Sequence, residues 1–218
     1  MNDKDSQLLA RCGEIGTSTW SDAMDACGLD GVVRGLVQRS GTGRFAGFAV
    51  TARETAGTRG QFPRSAFGVG EVINAVGPGQ VLLVDMDGAD VSTFGGLASL
   101  AAARRSAAAV VIDGGCRDID EMRACGLWLA SRFVTPVTGK TRLKLESINE
   151  PVTIGGIAVR PGDIVVGDDT GIVVVPRNAV ERVLAEADKM LTIDHTMQQA
   201  IERGTSFKDA ASDANYIR

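Results

Sequence analysis

Apolar residues fall in short clusters along this chain, and the period of each cluster predicts its element. Residues 45–53 alternate and become β-branched near their end, which reads as a strand. Short unbroken apolar runs at Val81–Val84 and Ala107–Ile112 read as strands, the second of them buried, and Leu127–Val134 as a returning strand. Helical spacing appears at Gln7–Cys12, Phe67–Ala75, Leu97–Ser106 and Asp120–Cys125, the last ending at Gly126. Trp20–Cys27 reads as a helix closed by Gly28, with the hydroxyls of Thr17, Ser18 and Thr19 placed to cap it. A long helix is predicted over Asn178–Gln199, extending to Glu202 and closed at Gly204.

Val152–Val159 reads as a strand broken by Gly155-Gly156, and Ile164–Val166 with Ile172–Val175 as a hairpin around Asp168-Asp169-Thr170-Gly171. Thr55–Arg64 reads as a loop whose Arg59 and Arg64 are placed to line an anionic site or to stay solvated. The segment Pro78-Gly79 followed by an apolar run ending at Asp85 is echoed by Pro161-Gly162 followed by a run ending at Asp168. The match is too short for a duplication and fits one turn chemistry used twice. No linker divides residues 1–218, so a single domain is expected, with 205–218 as a mobile C-terminal tail.

Composition narrows the classes. The chain has 218 residues, 44% apolar and 23% charged, enough for one sizeable core. A net charge of -4 with a single Tyr and two Trp argues against nucleic acid as a partner. No apolar run reaches a membrane span, and the polar start at Met1–Ser6 is unlike a signal peptide, so a cytoplasmic protein is expected. The four cysteines form no CxxC pair and read as reduced thiols. One histidine, His195, leaves zinc and triad chemistries short of ligands and bases.

The chemistry then concentrates in two places. Asp113-Gly114-Gly115-Cys116-Arg117-Asp118 follows a buried strand, so Arg117 and Asp118 are expected at a strand tip, where α/β folds bind ligands. Gly95-Gly96-Leu97-Ala98 opens a helix with bare backbone N–H groups, an anion-binding arrangement, or else a turn that needs glycine for its angles. One helix and one strand join the two segments, a return that brings both to the same edge of a sheet.

Such a site suits a 2-oxo acid. Its carboxylate would take the N–H groups, Arg117 would bond the keto oxygen and stabilise an enolate, and Asp118 would hold Mg²⁺ or Mn²⁺. The same spacing also suits a structural Arg117–Asp118 ion pair, or Asp118 as a helix cap. Ser21 and Asp22 sit in a first helical turn, where capping and dipole compensation compete with a site role. Lys140 and Lys144 read as solvated, unlike a Schiff-base lysine.

In these segments the chain resembles the 4-hydroxy-4-methyl-2-oxoglutarate aldolases, class II pyruvate aldolases whose family also contains the regulator of ribonuclease activity A. The resemblance runs through Thr19–Met24, Phe94–Ala98, Val111–Asp118, Pro161–Asp163 and Asp169–Pro176. It implies an α/β/β sandwich like the swivelling phosphohistidine domain, assembled as a homotrimer or a dimer of trimers with sites between subunits. It implies substrate contacts from Gly95, Gly96, Leu97, Ala98 and Arg117, and divalent metal (Mg²⁺ or Mn²⁺) on Asp118. The activity implied is cleavage of 4-hydroxy-4-methyl-2-oxoglutarate or 4-carboxy-4-hydroxy-2-oxoadipate, with oxaloacetate decarboxylation as a companion. A lyase or hydrolase for another oxo acid, and a non-catalytic regulator of an RNA-degrading enzyme, are the alternatives. Several members of that family carry an acidic residue where this chain has Gly96, and Glu186, Asp194 and Glu202 of a neighbouring subunit are the candidates to replace it.

Overall fold

The computed structural model describes residues 2–214 and residue 216. Met1, Asn215, Ile217 and Arg218, the outer ends of the expected domain and tail, lie outside the described residues. The chain opens with helices α1 (Asp3–Glu14) and α2 (Thr17–Ala26) and a short strand β1 (Val37–Ser40). Strands and helices then alternate: β2 (Phe45–Ala56), α3 (Val69–Ala75), β3 (Gln80–Phe94), α4 (Gly96–Arg104), β4 (Ala109–Cys116), α5 (Ile119–Cys125) and β5 (Leu129–Val134). Strands β2 to β5 pair in parallel as neighbours, each joined to the next through one helix.

Antiparallel strands complete the sheet: β6 (Leu143–Ile148), β9 (Ile164–Gly167) and β10 (Ile172–Val175), with β7 (Val152–Ile154) and β8 (Ile157–Val159) forming a separate hairpin. The order is β1-β5-β4-β3-β2-β9-β10, and β6 adds to the outer part of β2. Helices α6 (Val180–Glu202) and α7 (Phe207–Asp213) finish the chain. The α7 helix occupies the segment expected to be a mobile tail, and its Ala210 and Ala211 are buried.

Side-chain alternation divides the core into layers. Leu82 and Val84 of β3, with Val110 and Ile112 of β4, face the helices α3, α4 and α5. On the same face further along the curled sheet, Ile164, Val166, Val173 and Val175 face α1, α2 and α6. The other face carries Leu83, Val111, Ala130, Val165 and Val174, covered by the β7–β8 hairpin. Helices, sheet and a small β layer make the α/β/β sandwich expected from the resemblance.

Several elements differ from the sequence reading, each for a physical reason. Strand β4 runs straight through Asp113-Gly114-Gly115-Cys116, so the strand tip comes at Arg117. The two glycines serve close packing there: a Cβ on Gly115 would lie 2.7 Å from the Val91 carbonyl oxygen, and one on Gly114 would press into Met86. Strand β3 is long because it pairs irregularly with β4 beyond Asp85, through Ala89 opposite Gly114 and Ser92 opposite Gly115, before Phe94 comes opposite Cys116. The Thr17–Thr19 hydroxyls do not cap α2 as N-cap side chains; Asp168 accepts from the Thr17 amide (2.9 Å) and hydroxyl (2.6 Å) instead.

Gly155 and Gly156, both at positive φ, make the turn of a two-stranded hairpin rather than a break in one strand. Strands β1 and β6 show no clear apolar alternation in the sequence to announce them; β6 buries Leu143 and keeps Lys144 exposed, as expected of that lysine. The two Pro-Gly turns lie on either side of β2: Phe48 pairs with Gln80 of β3 and with Ile164 of β9.

Candidate active site

The two chemical segments meet at the carboxyl ends of β3 and β4. Phe94 and Cys116, both fully buried, are register partners, and the Arg117 amide donates to the Phe94 carbonyl at 2.9 Å. Gly95-Gly96 and Arg117-Asp118 are therefore the next residues out of two paired strands, the position where open parallel sheets bind ligands.

Asp118 is the residue before α5 and stands in the left-handed region, with φ 57° and ψ 48°. Its side chain makes no capping bond to α5. Instead, Oδ2 accepts from the Gly96 amide at 3.2 Å and lies 3.5 Å from Arg117 Nε. Both side chains are about two-fifths exposed, so the pair keeps contact with solvent and with whatever binds there. The ion pair and the open site are thus not alternatives: one carboxylate oxygen is shared between an amide and a guanidinium at the mouth of the sheet.

The glycines leave room for these groups. A Cβ on Gly95 would stand 2.5 Å from Asp118 Oδ2 and 3.2 Å from Arg117 Nε. On Gly96 it would overlap the Glu121 carboxylate and come within 2.6 Å of Glu121 Cβ. Glu121 escaped the sequence reading, because its approach depends on a missing side chain 25 residues earlier. Its spacing from Asp118, i to i+3 at the start of a helix, was the available signal. The Gly96 amide is taken by Asp118, while the Leu97 and Ala98 amides, in the first turn of α4, have no helical carbonyl to bond and point out of the helix start.

A divalent cation fits this donor set on chemical grounds. The side chains are carboxylates, hard oxygen donors, and Asp118 Oδ2 is reachable from solvent. Among the described residues no three His, Cys, Asp or Glu side chains converge. An ion bound there would take one or two protein carboxylates and keep several waters.

The remaining candidates lie elsewhere. Asp113, in the same motif, turns to the opposite face of the sheet: it accepts from Arg132 Nε at 2.6 Å and from the Gly155 amide at 2.7 Å, anchoring the β7–β8 hairpin. Asp22 lies on α2 in a groove with Met190, Ile193 and Asp194 of α6. Glu186 pairs with Lys189 and Glu202 accepts from Gln198, both on α6, which packs with α2 over the β9–β10 end of the sheet. Arg59 and Arg64 form no ion pair with Asp118 among the described residues; their loop is tied to Thr141 beside β6. Lys144 pairs with Glu146 at 2.8 Å.

One further carboxyl stands out. Glu54 is buried, and neither oxygen has a hydrogen-bond partner of ordinary geometry. Burial pushes its pKa up to about 7, and the nearby Thr93 hydroxyl offsets that only in part.

The chain is 27% identical over 214 residues to Protein DlpA of Legionella pneumophila, which covers 96% of this chain but only 34% of that protein's length. It is 31% identical over 137 residues to the 4-hydroxy-4-methyl-2-oxoglutarate aldolase of Thermus thermophilus, covering 62% of this chain and 78% of the relative. Among solved structures, an uncharacterized protein from Pseudomonas syringae superposes with a TM-score of 0.83 at 28% identity, covering 94% of this chain and 96% of the other. With the sequence profile of the RraA-like family, described as Aldolase/RraA, matching residues 17–174, the chain belongs to that family.

Proposed function

We propose that this protein is a divalent-metal-dependent lyase. It would cleave a 4-hydroxy-2-oxo diacid, either 4-hydroxy-4-methyl-2-oxoglutarate or 4-carboxy-4-hydroxy-2-oxoadipate, to pyruvate and a second 2-oxo acid. Oxaloacetate decarboxylation would be a side activity. The observation that carries the reading is the meeting of the α4 start with Arg117-Asp118 at two paired strand ends, in a chain similar to a named aldolase of this type.

In this reading the exposed amides of Leu97 and Ala98 hold the substrate carboxylate, using the positive end of α4. Arg117 bonds the 2-oxo oxygen and stabilises the negative charge that gathers there as the bond between C3 and C4 breaks. The 4-hydroxyl loses its proton and becomes the carbonyl of the departing acid, and the three-carbon enolate is protonated at C3 to give pyruvate. Asp118 holds the cation, which when bound polarises the keto oxygen and lowers the pKa of water. Oxaloacetate loses CO₂ to reach the same enolate, so one site serves both reactions.

A neighbouring copy of the chain completes the site in this proposal. Leu97 and Leu100 on α4, with Phe133 and Val134 at the end of β5 and Val137 just after it, are large apolar side chains left exposed at the same end of the sheet, Leu97 at 82%. A homotrimer, or a dimer of trimers, would cover them and exclude water from the substrate. The test is a panel of 2-oxo acids incubated with purified protein and Mg²⁺ or Mn²⁺, with pyruvate measured by a coupled dehydrogenase. Release from the 4-hydroxy-2-oxo diacids, and its loss with EDTA, is expected. Turnover of an unrelated oxo acid in preference to these would assign a different lyase to the same site.

A further inference from the structure

We propose that Arg39 is a positioning residue for Arg117 and Asp118, holding both ends of that dipeptide from the edge strand β1. Its effect on turnover rests on the lyase reading; its effect on the geometry of the strand tip does not.

Arg39 lies where β1 departs from regular pairing. Gln38 stands opposite Ala130 and Ser40 opposite Leu129, so Arg39 is the extra residue of a β-bulge, a feature that re-aims a side chain. The side chain reaches back along β5. Its Nε donates to Ser131 Oγ at 3.1 Å, and its Nη2 donates to the carbonyls of Ser131 and Arg132 at 3.2 and 3.0 Å. All three acceptors are neutral oxygens, so the planar fork acts as a clamp of fixed shape and not as half of an ion pair.

The clamp reaches both sides of the dipeptide. Ser131 is fully buried; its hydroxyl lies 3.1 Å from Cys116 Sγ and donates to the Phe133 carbonyl at 2.9 Å. Cys116 immediately precedes Arg117, and its own carbonyl accepts from the Thr135 amide at 2.9 Å. On the far side, the Arg39 carbonyl accepts from Arg123 Nε at 3.1 Å. Arg123 stands on α5, the helix that follows Asp118. A helix of seven residues has little stability of its own, so anchors from outside set its direction. Arg117 and Asp118 therefore sit between a strand end and a helix that one residue of β1 ties together.

Placement matters more to turnover than to binding at such a site. A displacement of about 1 Å in a group that meets developing charge costs up to about 100-fold in rate. In the lyase reading Arg117 meets the enolate oxygen, while the Leu97 and Ala98 amides, untouched by Arg39, still hold the substrate carboxylate.

The experiment compares the full-length native protein with Arg39→Met, which keeps the stem and removes the fork, and Arg39→Lys, which keeps the charge and gives up the fork. A cleft of about 590 Å³ opens beside Arg39 and Arg123, so water can reach the freed carbonyls and the fold is expected to hold. Two quantities are measured: kcat and KM for pyruvate release from oxaloacetate with Mn²⁺, and hydrogen exchange at the Arg117, Met122 and Thr135 amides, which bond the Phe94, Asp118 and Cys116 carbonyls. Both variants are expected to lose about 10- to 100-fold in kcat with KM within about 3-fold of native. The three amides should exchange faster while those of Val81–Val84 and Val110–Ile112 keep their native protection.

Native kcat in Arg39→Met overturns the inference, and so does native exchange at the three amides. Native kcat in Arg39→Lys alone would assign the effect to charge and overturn the clamp. Exchange that rises equally in the core strands would make Arg39 a structural residue only, which also overturns it. If the native protein releases no pyruvate the lyase reading falls, and exchange decides alone: loosening confined to the three amides supports the inference, and its absence overturns it.

Discussion

Asp118 holds a backbone conformation that most residues avoid, and it does so at the point where β4 hands over to α5. A left-handed residue other than glycine costs on the order of 1 kcal/mol, a cost aspartate tolerates better than most. Asp118→Gly removes that strain and also the bond to the Gly96 amide, worth a similar amount. Its stability in urea is therefore expected to stay within about 1 kcal/mol of the native protein while lyase activity disappears; a much larger loss of stability would make Asp118 a structural residue. Glu54 gives a second prediction. Its folded pKa, about 7, lies above the ordinary 4.5, so the folded state binds its proton more tightly than the unfolded state does. Stability from this group is fully present below pH 4.5 and is lost as pH rises towards 7, by roughly 3 kcal/mol at most. Unfolding curves at pH 5 and pH 8 should show Glu54→Gln losing less stability than the native protein over that interval; parallel losses would show that Glu54 does not titrate there. Arg117 and Asp118 were legible because they are adjacent and follow a buried run. Glu54 was not, because the apolar pattern of that strand stops at Arg53, and a carboxyl standing on the buried face of Ala52 carries no apolar signal of its own.

The strands β3 and β4 decide where the chemistry goes. Their register brings Phe94 opposite Cys116, and the glycines of β4 allow the irregularly paired part of β3 to pass close by. The same two strands serve the opposite face through Asp85 and Asp113, which accept from the Thr153 and Gly155 amides of the β7–β8 hairpin at 3.1 and 2.7 Å. Replacing Asp113 by alanine would orphan the Gly155 amide and leave Arg132 without its partner, at a cost of about 3 kcal/mol. Hydrogen exchange should show the hairpin amides opening first in Asp113→Ala. Full protection of residues 152–159 in that variant would mean the hairpin is held by its apolar face alone. Parallel strands and their helices were readable from the sequence where an apolar run is continuous, as at Val81–Val84 and Ala107–Ile112, and where a helix ends in a recognisable stop, such as Gly126. The strand character of Asp113–Cys116 was hidden because glycines at a close approach look the same in sequence as glycines in a turn.

At the scale of the whole molecule, the sandwich leaves an apolar fringe beside the site, Leu100 and Val134 being about half exposed. An assembly that uses this fringe should dissociate in Leu100→Glu. Light scattering of the native protein is expected to give a trimer or hexamer, and of the variant a smaller species with reduced lyase activity and intact secondary structure. A native monomer that is fully active would remove the subunit-interface part of the proposal. The layer architecture could be anticipated from the order of elements and the resemblance, whereas the covering of one sheet face by a hairpin of two three-residue strands could not, since strands that short carry almost no period. The central claim is that Arg117-Asp118 and the α4 start form a metal-dependent lyase site. It is tested most directly by the rate of pyruvate release from 4-hydroxy-4-methyl-2-oxoglutarate and oxaloacetate by the native protein and by Asp118→Asn, each with EDTA and with added Mn²⁺. The account predicts release by the native protein that stops with EDTA and returns with Mn²⁺, and a fall of about 10³-fold in Asp118→Asn with the fold unchanged. No release from either acid, or release indifferent to EDTA and to Asp118→Asn, would contradict it.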